Sequence, residues 1–289
     1  MNKTLFNQGK EYFMTNLRII HHNAADLAAI SASSQSGALS VTNLLTDIKS
    51  EVWRSTGTHA TLSAVFPLTS LIAAVALPFC NLSSAATLRV RGYALAADAV
   101  PAFDTGTVRA CAHQPLGAWE WGLEPLGVNA FSYGGGAYGR IWFSPAWVEK
   151  LEIDIDDALN PAGYIEASRL VAGMYWSPEN NADYGASVTA DDASQHYRNE
   201  GGDLLTNVGP HSRKLALSLN NMSPQDRSKL MAILRGNGKS RPVFVSLFPE
   251  SDDPLLEQDH QVYGKLPDAV AVATPQFERY STSITVEEI

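Results

Sequence analysis

Apolar and polar residues alternate one by one through the last third of the chain, switch to a helical spacing, and switch back. The run KLALSLNNM, from Lys214 to Met222, puts Leu215, Leu217 and Leu219 on one face with smaller or polar residues between them. That is the period of a half-buried strand. SPQDRSKLMAILRGNG then reads as a short helix. Ser223 is its N-cap and Pro224 its first helical residue, Leu230, Ile233 and Leu234 form the buried stripe, and Gly236 or Gly238 ends it. RPVFVSLFP follows as a strand rich in β-branched and aromatic residues, and the chain closes on a further strand, RYSTSITVEEI.

Residues 15–172 carry the same two-residue period with no convincing long helix. Leu17, Ile19 and His21 alternate with Arg18, Ile20 and His22 in an opening strand. A turn-forming stretch, SASSQSGALS, and the run NLLTDIKSEVWRS come next. ATLSAVF, IAAVALP and ATLRVRGYAL are strand-sized runs divided by Pro, Asn or Ser. Between Ala94 and Gly139 lies a long irregular insertion rich in Ala, Gly, Pro and Trp, after which RIWFS and VEKLEIDIDDA resume the pattern. In the latter, Leu151, Ile153 and Ile155 face one way and Glu152, Asp154 and Asp156 the other. GYIEASRLVAG reads as a closing strand. Many short strands at this spacing predict a sandwich. From Met174 to Pro210 the chain is polar and turn-rich, and we expect a hairpin with a mobile tip, its strands being SVTA and the residues near Tyr197.

At 289 residues the chain accommodates two domains, and 45% hydrophobic with 18% charged residues is a globular composition. The net charge of −9 argues against nucleic acid or an anionic membrane as main partner. Residues 173–289 are the more acidic part, with 10 Lys and Arg against 16 Asp and Glu. This surface is either plain solvated exterior or the lining of a channel from which DNA is repelled. Cys80 and Cys111 read as buried, reduced thiols, consistent with folding in a reducing compartment. Val65 to Cys80 is the most apolar stretch, but it is too short for the ~20 residues of a membrane span, and it is bracketed by Pro67 and Pro78. The first thirteen residues lack the pattern of a signal peptide, and Met14 is a candidate start.

Chemistry-bearing motifs are scarce. His21 and His22 are adjacent on a strand and point to opposite faces, so they do not chelate one ion together. GGGAYGR lacks the Gly-Lys-Ser/Thr ending that cradles phosphate. The acidic alternation Glu152, Asp154, Asp156 reads as a charged strand face rather than a cation site. No Gly-x-Ser-x-Gly, His-Glu-x-x-His or Cys-x-x-Cys occurs. No catalytic residue, metal or cofactor is expected, although Asp154 and Glu166 are the carboxylates to test for glycan-processing activity. Trp119, Trp121, Phe131, Tyr133 and Tyr138 lie among glycines in the insertion. We take Trp119, Trp121, Tyr133 and Tyr138 as candidate ligand-binding residues, because such rings stack on sugars or anchor interfaces; the alternative is that they cover the end of the core. Trp142 and Trp147 read as core or rim.

Two resemblances gather these segments. SASSQSGALSVTNLLTDIKSEVWRS, IAAVALPFCNLSSAATLRVRGY and LEIDIDDALNPAGYIEASRLVAG resemble a galactose-binding-like (discoidin-like) domain. That implies a jelly-roll β-sandwich over residues 15–172 and a possible host-surface glycan as ligand. Sugar-binding members often carry an Asp-Gly-x-x-x-Thr calcium loop; here Asp47 is followed by Ile48, Lys49 and Ser50, which argues against calcium. The strand before SPQDR, then RPVFVSLFP, VYGKL and RYSTSITVEEI, resemble the tail-tube-like β-domain of phage distal tail and baseplate proteins. That implies a mainly β chain: an N-terminal extension (1–14), the sandwich, and a ring-forming domain with one short helix (173–289). It further implies a non-catalytic virion protein at the tail tip, assembled in the host cytoplasm. Copies would form a homo-oligomeric ring, a hexamer rather than a trimer, joining tail tube to hub and letting DNA pass. Partners would be tail tube, hub, tape-measure protein and tail fibres, with no sequence-specific nucleic acid contact and no transmembrane segment. Thr282, Ile284 and Val286 in the final strand, together with Tyr197, would lie at subunit contacts, since a closed ring satisfies open strand edges. The alternative is a carbohydrate-binding adsorption protein of the tail tip.

Overall fold

The computed structural model describes residues 15–112, 136–251 and 253–289. Two strands longer than any the sequence suggested organise the first unit: β4 (His59–Cys80) and β8 (Ala137–Asp156). They pair antiparallel from His59 opposite Asp156 to Cys80 opposite Ala137, with the register broken between Val65 and Ser70. Pro67 sits in that break, where its missing N–H costs no ladder bond. ATLSAVF and IAAVALP are thus halves of one interrupted strand, as are RIWFS and VEKLEIDID.

The two halves of this ribbon take different neighbours. β2 (Ala29–Ala32) pairs with the first half of β4, and β5 (Thr87–Tyr93) pairs with the last half of β8. β6 (Phe103–Asp104) and β7 (Val108–Arg109) extend that layer from β5. β10 (Val171–Gly173) pairs with Ala74–Ala76, while β9 (Glu166–Ala167) joins Cys80 to β3 (Trp53–Arg54). One nine-stranded sheet is thereby folded into the two layers of a β-sandwich. Leu62, Phe66, Ile72, Val75, Leu77, Leu88, Val90, Leu151, Ile153 and Ile155 fill its core.

Burial explains why the halves differ. From His59 to Phe66 it alternates, as in a sheet with one wet face, but from Ile72 to Cys80 every residue is buried. The outer face of that second half is covered by another sheet. This sheet runs in the order β11 (Tyr175–Trp176), β1 (Arg18–Ile20), β16 (Val243–Ser246), β17 (Gln261–Lys265), β19 (Arg279–Glu288), β15 (His211–Met222), β12 (Ser187–Asp192), and β18 (Val272–Gln276) also pairs with β19. One face holds Ile19, Val245, Val262, Leu215, Leu217, Leu219, Ile284 and Val286, capped by Leu230 and Ile233 of α1 (Pro224–Asn237). The other presents Ile20, Phe244 and Tyr263 to Ala74, Ala76, Phe79, Tyr138 and Val171 of the sandwich.

That junction is densely bonded. The Tyr138 ring lies 5.5 Å from Phe79 and 6.1 Å from Phe244. Its hydroxyl donates to Glu288 at 2.6 Å and accepts from the Tyr263 N–H at 3.2 Å. Glu257, in α2 (Pro254–Asp259), accepts from Arg140 at 2.6 Å and from Trp142 at 3.0 Å. Arg169 donates to the Tyr263 hydroxyl at 2.8 Å and pairs with Asp26 at 2.6 Å. Phe79 has φ 56° at the bulge after Pro78, and Gly136 packs so closely on its backbone that a Cβ there would lie 2.9 Å away. The bulge turns the Phe79 ring into the junction.

α1 follows the sequence reading: the Ser223 side chain accepts from the Asp226 N–H, and Gly238 caps the other end. α2 was not expected. Three other expectations are corrected. NLRIIHH does not open the sandwich but lies in the second sheet, with Ile19 opposite Val245 and Ile20 opposite Phe244. Both isoleucines are buried, which suits a strand covered on two faces. SVTA pairs with Arg213 to Ala216 rather than with the segment near Tyr197. That segment, β13 (Gln195–Arg198), forms its own hairpin with β14 (Leu204–Asn207). Finally, β19 is not an edge strand: β15 runs along one side of it, and on the other β18 pairs with Arg279–Thr282 and β17 with Glu287 and Glu288.

Candidate functional site

Folding the ribbon brings both of its ends together, and the connecting segments meet there. The Asp157 N–H, just after β8, donates to the Thr58 carbonyl just before β4. The buried Asp157 carboxylate accepts from the Ser83 N–H at 2.8 Å and the Asn160 amide at 2.9 Å. Asn81, just after β4, accepts from the Glu166 N–H at 2.7 Å and donates to the Tyr164 carbonyl at 3.0 Å. Trp53 is fully buried and anchors the preceding loop by donating to the Ser34 carbonyl at 3.1 Å. Short polar side chains bonded to backbone are the usual way to make loops rigid.

On this base sit Arg54, Tyr164 and Glu166, all partly exposed. The Arg54 guanidinium lies 4.2 Å from the Tyr164 ring centroid and donates to Glu166 from Nε at 2.7 Å. The bond to Glu166 raises the Arg54 pKa. Planar donors, a carboxylate acceptor and an aromatic ring at one wet surface are the groups that recognise polyhydroxylated ligands. The described residues stop at Ala112 and resume at Gly136, which packs against the backbone of Phe79 and Cys80; residues 113–135 fall between. Trp119, Trp121, Phe131 and Tyr133 belong to that stretch and lie outside the described residues.

Tyr138 is not a surface ligand-binding residue: it is fully buried in the junction, and burial pushes its hydroxyl well above the ordinary tyrosine pKa. The residues expected at subunit contacts divide. Thr282, Ile284 and Val286 are buried, the Thr282 hydroxyl donating to the Ala271 carbonyl and the other two packing in the core under α1. Tyr197 is exposed on β13, near Leu204, Leu205 and Val208, which are exposed as well. β12 pairs with β15 on one side and carries no strand on its other edge among the described residues.

The acidic alternation on β8 is neutralised across strands. Arg91 bridges Glu152 at 3.3 Å and Asp154 at 2.8 Å, Lys150 pairs with Glu152 at 2.6 Å, and Thr61 donates to Asp154 at 2.8 Å. Burial opposes ionisation of Glu152, but hydrogen bonds from Lys150 and Tyr93 hold its pKa below the usual value. Asp47 accepts from the Tyr263 hydroxyl and pairs with Arg169, so it serves the junction. Among the described residues no cluster of His, Cys, Asp and Glu is placed to hold a metal ion, and no helix is long and apolar enough to cross a membrane. The Arg54 and Tyr164 pair escaped the sequence reading. The two lie far apart in sequence, and only the β3–β9 pairing joins them.

No family model and no curated protein matches this sequence. Solved structures do align with it. A GH29 fucosidase from Ruminococcus gnavus, in complex with fucose, aligns over 55% of this chain and 27% of its own, with 11% identity and a TM-score of 0.38. The chain thus spans about a quarter of the fucosidase's length. A chitosan-binding module from a chitosanase/glucanase of Paenibacillus sp. IK-5 aligns over 53% of this chain and 100% of its own, with 14% identity and a TM-score of 0.36. The family 32 carbohydrate-binding module of NanJ from C. perfringens, in complex with galactose, gives 53%, 98%, 14% and 0.36 for the same measures.

Proposed function

We propose that this chain is a non-catalytic glycan-recognition protein whose sandwich binds sugar at its loop end. The observation that carries the reading is the Arg54–Tyr164–Glu166 group, held on a hydrogen-bonded base at the loop end of the sandwich. Arginine donors and a carboxylate would bond to sugar hydroxyls, and the rings would stack on apolar sugar faces. The carboxylates Asp154 and Glu166 are each held by arginine, which favours binding over hydrolysis. A glycan array probed with the full chain tests this. Binding to a host-surface polysaccharide, lost on Trp119→Ala or Trp121→Ala, is expected. Release of reducing ends from a bound polysaccharide, abolished by Asp154→Asn or Glu166→Gln, would replace recognition by catalysis.

A second reading, a ring component of a phage tail tip, draws support from the unpaired edge of β12 and the exposed apolar hairpin beyond it. An isolated two-stranded hairpin is marginal in water, and an open edge invites a partner strand. Native mass spectrometry should then give a discrete ring, six-fold by the resemblance. A strictly monomeric species at high concentration, with no partner in purified virions, would discredit it.

A further inference from the structure

Arg54 and Glu166 stand directly opposite one another where β3 pairs with β9, so their side chains leave the same face of the two strands. Two nitrogens of the guanidinium, Nε at 2.7 Å and Nη2 at 2.6 Å, converge on a single carboxylate oxygen, Glu166 Oε2. The Tyr164 ring, 4.2 Å from the guanidinium, backs it with a flat surface. Among the described residues, Arg54 Nη1 and Glu166 Oε1 make no bond within the chain, and the two side chains are 34% and 25% exposed. A donor and an acceptor thus stand side by side at the surface, while the positive charge behind the donor is already answered. In the base that supports them, the Asp157 carboxylate is bonded by Ser83 and Asn160, and no lysine or arginine pairs with it among the described residues. Residues 113–135 contain neither lysine nor arginine.

We propose that Glu166 sets the charge selectivity of the sugar site: by holding Arg54 it reserves the site for neutral glycans with adjacent hydroxyls and excludes carboxylated sugars. The inference rests on the sugar-recognition reading above and adds to it the class of ligand and the residue that selects it. A neutral sugar satisfies both free groups at once, one hydroxyl accepting from Arg54 Nη1 while its neighbour donates to Glu166 Oε1. A carboxylated sugar reaching for Arg54 meets the Glu166 carboxylate beside it, and gains the guanidinium only by expelling that carboxylate. The same pair predicts its own reversal. Without the glutamate charge, Arg54 becomes an unpaired, partly exposed cation whose planar fork matches a carboxylate.

The test titrates the full chain with matched oligosaccharides, galactose against galacturonate, glucose against glucuronate and mannose against mannuronate, at about 50 and about 300 mM salt. Wild type should bind the neutral member of a pair at least about tenfold more tightly, with an affinity that salt changes by less than about twofold. Glu166→Gln should weaken neutral binding by about threefold to tenfold and gain uronate binding that falls at the higher salt. Adding Arg54→Met to that variant should abolish the gain. The β3–β9 backbone pairing does not use the glutamate side chain, so Glu166→Gln should melt within about 3 °C of wild type; should it fail to fold, the wild-type preference and its salt response decide the inference. Uronate bound by wild type as tightly as its neutral counterpart, and lost in Arg54→Met, overturns the charge selectivity and leaves sugar recognition standing. A neutral preference unchanged in folded Glu166→Gln overturns the role of Glu166. Binding of neither class by wild type removes the recognition reading and this inference with it.

Discussion

Replacing Glu288, the penultimate residue, by alanine should destabilise the whole chain rather than fray its end. The side chain is only 1% exposed and is held within the junction. Its carboxylate accepts from the Arg213 N–H at 3.0 Å, from Arg213 Nη2 at 3.0 Å and Nε at 3.2 Å, and from the Tyr138 hydroxyl at 2.6 Å. Removing it strands Arg213, whose guanidinium also lies 4.6 Å from the Tyr138 ring, with its charge largely buried and no counter-ion. Breaking one partner of a buried pair costs about 3–5 kcal/mol, chiefly because the survivor keeps its desolvation penalty. With a urea slope of about 3 kcal/mol/M, the midpoint should fall by about 1 M or more with the slope unchanged. Glu288→Gln keeps the shape and one acceptor oxygen and should cost less. In a double-mutant cycle, Glu288→Ala and Tyr138→Phe should couple by about 1 kcal/mol or more. A midpoint shift below about 0.3 M, or a wild-type unfolding curve already split into two transitions, would refute the junction as what makes the layers one cooperative body.

Three further outcomes follow from the same geometry. Burial raises the pKa of both Tyr138 and Tyr263 above the ordinary value near 10, so their contribution is fully present below about pH 10 and is lost as pH rises towards the folded values; tyrosinate absorbance should show these two ionising only together with unfolding. Gly264→Ala should abolish soluble folding or destabilise the chain by about 3 kcal/mol or more, because its Cβ would lie 1.9 Å from the Glu287 carbonyl oxygen, a backbone atom; a normal melting curve would contradict the close crossing of β17 and β19. Deleting residues 195–207 should leave the thermal midpoint within about 2 °C, since the hairpin strands are exposed throughout and form a sheet of their own; light scattering on the same variant reads whether the hairpin supports self-association.

Much of the architecture was legible where one face of an element meets water. Leu151, Ile153 and Ile155 alternate with acidic residues, so strand and inward face were both readable, and the Ser223 and Gly238 caps marked α1. Legibility failed where an element is covered on both sides. Ile19 and Ile20 are both buried, and nothing local says that one faces α1 while the other faces the sandwich. Thr282, Ile284 and Val286 alternate identically whether they meet their own core or a neighbouring subunit. The resemblance to ring-forming domains favoured the neighbour, whereas Ile284 and Val286 pack in the chain's own core and the Thr282 hydroxyl donates to the Ala271 carbonyl, so those positions are filled from within the chain. Pro67 looked like a boundary between strands because a proline in a regular ladder would be costly; it sits in a register break, where the cost disappears. At the loop end, the Trp53 anchor lay inside a motif visible in sequence, but the Arg54–Tyr164 contact depends on long-range pairing that no local pattern encodes.

The account stands or falls on sugar recognition at the loop end. The most direct measurement is a calorimetric titration of the intact chain with host-surface polysaccharide, repeated with Arg54→Met and Tyr164→Ala. The account predicts saturable binding that weakens at least about tenfold in each variant, the loss of one or two charge-assisted or stacking contacts, while their melting midpoints stay close to wild type. No binding to any host polysaccharide at millimolar sugar, or binding unchanged in both variants, would contradict it.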